Sequence, residues 1–370
     1  MERALATSRG RLEATRPTRR RIRLMLVDDS MVARAVLSRM IESDDELEIC
    51  GVAGTAEDAI EALQAVRVDV IVLDLEMPGA GGLKSIPRIL AAGAGARIMI
   101  VSSLAEEGAE ETVAALALGA ADTLPKPGTG RFNGRFSEIL IGKLKALGHG
   151  GPRLPDSSAV RDYTQAAPLR ASPARAAGIL AIGASTGGIH ALGTLFQNLP
   201  ARIGVPILIT QHLPGPFMTV FARQLGSVAQ REALVAENGM ALLPDRIIIA
   251  PGDAHLTVDV VGRSHVVRLT TGPVPSGCLP SLDPMLASAG ALFGAAALGV
   301  VLTGMGRDGV EGAGRLVACG GSILAQDAAS CAVWGMPRAV LEAGLACAVM
   351  PPDKLARRIA SLTGGDQPCK

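Results

Sequence analysis

Three residues of the second half could do acyl-transfer chemistry together. Ser185 stands in "GILAIGASTGG", His212 ends the apolar run "PILITQH", and Asp308 lies in "LGVVLTGMGRDG". A serine hydroxyl needs a base to become a nucleophile near neutral pH, and histidine is the usual one. The base in turn needs an acid to fix its tautomer. Gly183-x-Ser185-x-Gly187 after a strand and before a helix fits a strained turn that exposes a serine. The same kind of turn also cradles phosphates and would suit a dinucleotide. No acidic residue ends the next strand, where a ribose partner would stand, and His212 is there instead, which favours the nucleophile. The order Ser…His…Asp differs from that of α/β-hydrolases and disfavours that fold while the chemistry remains. The backbone N–H groups of Thr186 and Met305, each in a glycine turn, are candidates to bind a developing oxyanion.

The first half places a different chemistry at strand ends. Asp28 and Asp29 end one apolar run, Asp74 ends a later one, Ser102 and Ser103 end the next, and Lys126 the last. In open parallel sheets ligands sit at the carboxyl ends of the strands. Three converging carboxylates repel one another unless a cation lies among them, and hard oxygen ligands suit Mg²⁺. An aspartate beside Mg²⁺ can attack a phosphoryl group to form an acyl phosphate, with a hydroxyl and a lysine to bind the new oxygens.

These positions require parallel sheets. From Ile22 short apolar runs alternate with helical periodicity: "IRLMLVDD", a helix around Ser30–Ile41, "EICGVAG", a helix "TAEDAIEALQAV" started by Thr55 with Asp58 as capping partner, "VDVIVLDLEMP", "ARIMIVSS", a helical stretch Glu107–Leu118, "ADTLPKP" and the helix "SEILIGKLKAL". Five βα units predict a doubly wound sheet over 22–147. Residues 148–176 lose periodicity and gain Pro, Ser, Gly and Arg, which reads as a linker. A second α/β pattern follows over 177–366, with strands "GILAIGA", "PILITQH", "DRIIIAP" and "LGVVLTG". The expected architecture is two α/β, doubly wound parallel-sheet domains.

Composition agrees. The chain has 370 residues, 48% of them hydrophobic but only six Phe, one Tyr and one Trp, the palette of parallel sheets covered by helices. A net charge of +1 implies no polyanion-seeking surface, so nucleic acid is not an expected partner. Cys50, Cys278, Cys319, Cys331, Cys347 and Cys369 form no CxxC pair and read as reduced thiols of a cytoplasmic protein. No apolar run approaches the roughly 20 residues that span a bilayer, so no membrane insertion is expected. Residues 1–21 are Arg-rich, lack the apolar centre of a secretory signal and read as a disordered extension.

Other candidates carry less. His255 in "IAPGDAHL" ends a strand and could line the cleft. His190 reads as surface or packing, His149 and His265 as linker and loop, and Trp334 as packing; Tyr163 lies in the linker.

The first half resembles the receiver domain of two-component response regulators, a flavodoxin-like fold, through "LVDDS", "VLDLEMPG", "VSSL" and "LPKP". The resemblance implies that Asp74 is the phosphoacceptor. It also implies that Asp29, Asp74 and the backbone carbonyl of Glu76 bind Mg²⁺ with Asp28 completing the pocket, and that Ser102 and Lys126 are the switch pair. The family usually has an aromatic switch residue where this chain has Thr123.

The second half resembles the catalytic domain of the chemotaxis protein-glutamate methylesterase family through "IGASTGG", "LITQHLP", "IAPGDAHL", "PSLD", "LTGMGRDG" and "AQDAASCAVWGMPRAV", in family order over 178–340. What this implies is a hydrolase of γ-glutamyl methyl esters on methyl-accepting chemoreceptors, in many members also a receptor-glutamine deamidase. A histidine kinase of the chemotaxis pathway would be the phosphodonor, and the catalytic domain would need no cofactor. Ser185 would be nucleophile, His212 base, Asp308 orienter, and the Thr186 and Met305 amides the oxyanion hole. Leu279 stands where the family often has arginine, and Ala328 where it often has glutamate. The receiver is expected to pack over the catalytic cleft and to loosen on phosphorylation. Two rivals stay open: a phospho-switched binding protein with a vestigial triad, and an esterase or amidase acting on another signalling protein.

Overall fold

The computed structural model describes residues 20–79, 81–102, 106–126, 134–149, 168–171 and 175–364. Ser103, Tyr163, Cys369, residues 1–19 and most of the expected linker lie outside them.

In the first sheet β1 (Ile22–Val27), β2 (Leu47–Ala53), β3 (Val70–Leu73), β4 (Arg97–Ser102) and β5 (Asp122–Pro125) are all parallel, in the order β2-β1-β3-β4-β5. The helices between and after them are α1 (Met31–Glu42), α2 (Ala56–Ala65), α3 (Gly82–Ala92), α4 (Glu106–Ala117) and α5 (Gly134–His149). The central strand β3 reads VIVL and is buried along its length, as a strand covered on both faces must be. Ser30 and Thr55 cap α1 and α2, their hydroxyls accepting from Ala33 N–H and Asp58 N–H. Strand order reverses between β1 and β3, so Asp28, Asp29 and Asp74 stand at the switch point.

The second sheet has seven parallel strands in the order β14-β13-β12-β6-β7-β9-β8. They are β6 (Ile179–Ala184), β7 (Ile207–Gln211), β8 (Ala233–Val235), β9 (Ile247–Ile249), β12 (Ala297–Val301), β13 (Ser322–Gln326) and β14 (Ala346–Met350). Helices α6 (Gly188–Asn198), α7 (Gly215–Ala229), α8 (Leu282–Phe293), α9 (Val310–Ala318), α10 (Met336–Glu342) and α11 (Pro352–Thr363) complete the half. From β6 the chain builds outward through β7 and then returns to add β12 on the other side. The switch point is therefore the crevice between β6 and β12.

Several expectations change. An antiparallel pair, β10 (His255–Val261) and β11 (Ser264–Thr270), interrupts the α/β alternation, so His265 is a strand residue rather than a loop residue. Its ring stacks on Phe293 with centroids 4.5 Å apart. Helix α5 runs through His149 and takes in the first two residues of the expected linker, because Leu140, Leu144 and Leu147 keep one face in the first core. His149 then pairs with Glu46 at 3.4 Å.

The two halves touch. Helix α4 packs against α6 and α7. Arg97 donates to the Leu147 carbonyl in the first half and to the Cys331 carbonyl in the second, at 3.3 Å each. Arg223 pairs with Glu110 at 2.6 Å.

Candidate active site

Ser185 follows β6, His212 follows β7 and Asp308 lies in the turn after β12, so all three leave the same sheet edge around the switch point. The serine turn is held from three sides. Ser185 N–H donates to the Thr303 carbonyl at 2.9 Å, Gly188 N–H to the Ser185 carbonyl at 2.7 Å, and Gln211 Nε2 to that same carbonyl at 3.0 Å. Gly187 takes φ +78°, and a Cβ there would lie 2.4 Å from Ala332 Cβ. Gly304 abuts the serine, since its own Cβ would come within 2.7 Å of Ser185 Cβ. Only glycine lets these two turns close this tightly.

His212 Nε2 and Asp308 Oδ2 lie 2.8 Å apart. The nitrogen bound to the carboxylate is thus Nε2, and Nδ1 is the one left for a substrate-side partner. Asp308 is almost fully buried and accepts three further hydrogen bonds: Leu282 N–H on Oδ2 at 2.8 Å, and the Ser276 and Ser281 hydroxyls on Oδ1 at 2.8 and 2.5 Å. Burial would raise this carboxyl, but the bond and charge of His212 and the donors Leu282 and Ser281 outweigh it and hold Asp308 below the usual carboxylate range. The acid therefore stays ionised and can orient the imidazole.

The N–H groups of Thr186 and Met305 donate to no group among the described residues. Both remain free to meet an oxyanion. Leu279 is exposed on the 272–281 loop and Ala328 is exposed on a turn. Cys278 Sγ lies within 4.8 Å of ligand atoms of both His212 and Asp308, and burial pushes its thiol up, away from the thiolate.

The first half roofs this site. Gly187 N–H donates to the Ala121 carbonyl at 2.6 Å, and Thr186 Oγ1 donates to Asp122 Oδ2 at 2.5 Å. Lys143 Nζ on α5 reaches the same Oδ2 at 2.7 Å. His190 is exposed on α6 and its Nδ1 lies 3.3 Å from the Ala117 carbonyl. The void between Ala121, Asp122 and Thr123 above and Ser185 and His212 below offers about 10 Å³ of solvent-sized space, room for roughly one water. That void itself is too small for an ester-bearing side chain. Thr123, at the position of the missing aromatic, is buried in this lining.

At the other switch point, carboxylate oxygens of Asp28, Asp29 and Asp74 lie within 4.8 Å of one another. Lys126 Nζ is 3.0 Å from Asp28 Oδ2 and 2.6 Å from Asp74 Oδ2. Burial opposes the lysine's charge, but its bonds to Asp74 and Asp28 win and raise it. Burial and the Asp28 charge nonetheless push Asp74 above the ordinary range against the pull of Lys126. One ammonium cannot neutralise three carboxylates, so the cluster keeps excess negative charge and fits a small hard cation. Ser102 closes β4 but its hydroxyl bonds Thr112 Oγ1 at 2.9 Å, on the helix side. The Glu76 side chain is exposed, and its N–H donates to Asp74 Oδ1 at 3.2 Å.

The response regulator receiver domain model matches residues 24–131 and the CheB methylesterase model residues 180–359. A protein-glutamate methylesterase/protein-glutamine glutaminase of Paramagnetospirillum magneticum is 37% identical over 95% of this chain and 98% of its own. The chain belongs to the protein-glutamate methylesterase family. A second relative of the same designation, from Caulobacter vibrioides, is 41% identical over 92% of this chain and 98% of its own. The Thermotoga maritima CheB methylesterase catalytic domain aligns with 50% of this chain and 98% of its own at 34% identity, with a TM-score of 0.49.

Within this methylesterase-family chain the sequence left open whether His255 lines the cleft. His255 does not line the cleft: it is buried, with Nε2 on the Gly272 carbonyl at 2.8 Å and Nδ1 accepting from Ser281 N–H at 2.9 Å. The sequence reading missed Ser276 and Ser281 as holders of Asp308, and Asp122 as a contact to the serine turn. Ser281 had a signal, a serine before the apolar run of α8, where a helix N-cap belongs. Asp122 had none, because nothing in one domain's pattern names its partner across the interface.

Proposed function

We propose that the chain is a phosphorylation-activated hydrolase of glutamate γ-methyl esters on chemoreceptors, with Ser185, His212 and Asp308 as its catalytic residues. The observation that carries this is the Nε2-to-Asp308 bond of His212 beside a serine held on a glycine turn. Ser185 Oγ attacks the ester carbonyl while His212 takes the hydroxyl proton on Nδ1. Negative charge develops on the carbonyl oxygen, and the Thr186 and Met305 amides would receive it. Methanol leaves with the proton returned from the imidazolium. Water, activated by the same nitrogen, then releases the glutamate and restores Ser185. Receptor glutamine would follow the same course with ammonia leaving.

In the receiver, Asp28, Asp29, Asp74 and the Glu76 carbonyl would hold Mg²⁺, which supplies positive charge to a phosphoryl group when bound. Asp74 is the phosphoacceptor, taking phosphate from the histidine kinase of the pathway. Lys126 leaves its pair with Asp74 for the acyl phosphate, and the Ser102 hydroxyl turns from Thr112 to the same oxygens. Lys126 directly follows β5, the strand that begins with Asp122. A shift there loosens the roof over Ser185.

The test is methanol release from methylated receptor membranes by the whole chain, with and without a small-molecule phosphodonor and Mg²⁺, beside Ser185→Ala. Release that rises with phosphodonor and vanishes in the variant is expected. Equal release from Ser185→Ala would overturn the assignment.

A further inference from the structure

We propose that His255 is a positioning residue for the triad, acting through Ser281 on Asp308; this rests on the esterase reading above. The residues 272–281 form a lip beside the triad, and His255 holds both of its ends. Its Nε2–H donates to the Gly272 carbonyl at 2.8 Å, and its Nδ1 accepts from Ser281 N–H at 2.9 Å. That pattern fixes the neutral ring and one tautomer.

Between those two anchors hang both hydroxyls that hold Asp308 Oδ1. Ser276 donates at 2.8 Å and Ser281 at 2.5 Å. Ser281 is fully buried, and its N–H and its hydroxyl are both committed. Its N–H goes to His255, its hydroxyl proton to Asp308, and its oxygen accepts from Asp283 N–H at 3.1 Å as the N-cap of α8. The next amide, Leu282 N–H, donates to Asp308 Oδ2 at 2.8 Å. An apolar residue at 255 would fill the space but strand a buried N–H, so the Ser281 backbone would turn to find another partner. Both hydroxyl contacts to Asp308 would move with it, and the imidazole that Asp308 orients would follow. His255 touches neither Asp308 nor the substrate cleft, so its effect belongs in turnover, not in binding.

The experiment compares the whole chain with His255→Ala, His255→Asn and His255→Gln. It measures kcat and KM for methanol release under phosphodonor, the downfield imidazole proton of His212 by NMR, and thermal unfolding. For His255→Ala, kcat is expected to fall about 100-fold, the scale of a small misplacement at a reacting group. KM should hold and the His212 resonance should be lost. Asn keeps an acceptor where Nδ1 stands and should recover most of the turnover. Gln reaches Gly272 but not Ser281 and should not. A folded His255→Ala with wild-type kcat and resonance overturns the proposal, as does a loss confined to KM. If the alanine variant does not fold, Gln equal to or better than Asn overturns it. Should wild type release no methanol, the esterase reading fails, and the His212 resonance still decides the role of His255.

Discussion

Asp122 and Thr186 are joined by a 2.5 Å hydrogen bond across the domain interface, one residue beyond the proposed nucleophile. The receiver grips the serine turn itself, for the neighbouring Gly187 N–H also donates to the Ala121 carbonyl. A hydrogen bond to a charged group is worth about 1.5–3 kcal/mol. Asp122→Ala removes that bond and frees Lys143, so methanol release without phosphodonor should rise on the order of tenfold or more. The phosphodonor response should shrink by the same cause. An unstimulated rate equal to wild type would show that the roof is held elsewhere, for example by α4 on α7.

Asp308→Asn tests the orienter. The amide oxygen can take the place of only one carboxylate oxygen, so the NH₂ at the other meets donors it cannot accept from, and the amide carries no charge to hold the imidazole as an acceptor on Nδ1. The expected loss in kcat is on the order of 10⁴, with KM little changed, since substrate contacts stay intact. A loss below tenfold would mean that His212 is oriented by something other than the carboxylate.

Both sites were legible because their residues stand at the ends of apolar runs, and a parallel sheet delivers all such ends to one edge. Asp28, Asp29 and Asp74, and separately Ser185, His212 and Asp308, needed no more than strand order to reach one sheet edge. His255 was left open for the same reason: it too follows an apolar run. It starts the antiparallel β10 instead, and the lip tied to it at Gly272 and Ser281 covers its ring. Helix α3 went unread between its glycines at 81 and 82 and with Pro87 inside it, which blur the helical pattern. The Asp122–Thr186 contact joins two cores that the sequence describes one at a time.

Chelation separates the two halves. With excess EDTA, phosphodonor stimulation should disappear while unstimulated methanol release stays where it was, because the proposed hydrolysis runs on Ser185, His212 and Asp308 and needs no cation. The check is the ratio of stimulated to unstimulated rates across an Mg²⁺ titration. Stimulation that survives chelation would show that Asp28, Asp29 and Asp74 act without a metal cation, with Lys126 as counter-charge.

Asp283 gives a stability test with a definite sign. Burial first, then the charges of Asp308 and Glu311, raise this carboxyl above its ordinary value, against the Gly312 N–H that bonds its Oδ1 at 2.7 Å. A free aspartate titrates near 3.9. Between that value and the raised one the folded chain holds a proton that the unfolded chain has released, so stability falls as pH climbs through this window. Below the window the effect vanishes; above it the loss is complete. Asp283→Asn cannot titrate, and its Oδ1 can still accept from Gly312. Melting curves from pH 4 to 8 should therefore show the variant gaining on wild type as pH rises. The opposing effect is the N-terminus of α8, where Asp283 sits in the first turn and a negative charge is favoured. A gap that closes or reverses with rising pH would mean that the helix end outweighs the repulsion from Asp308.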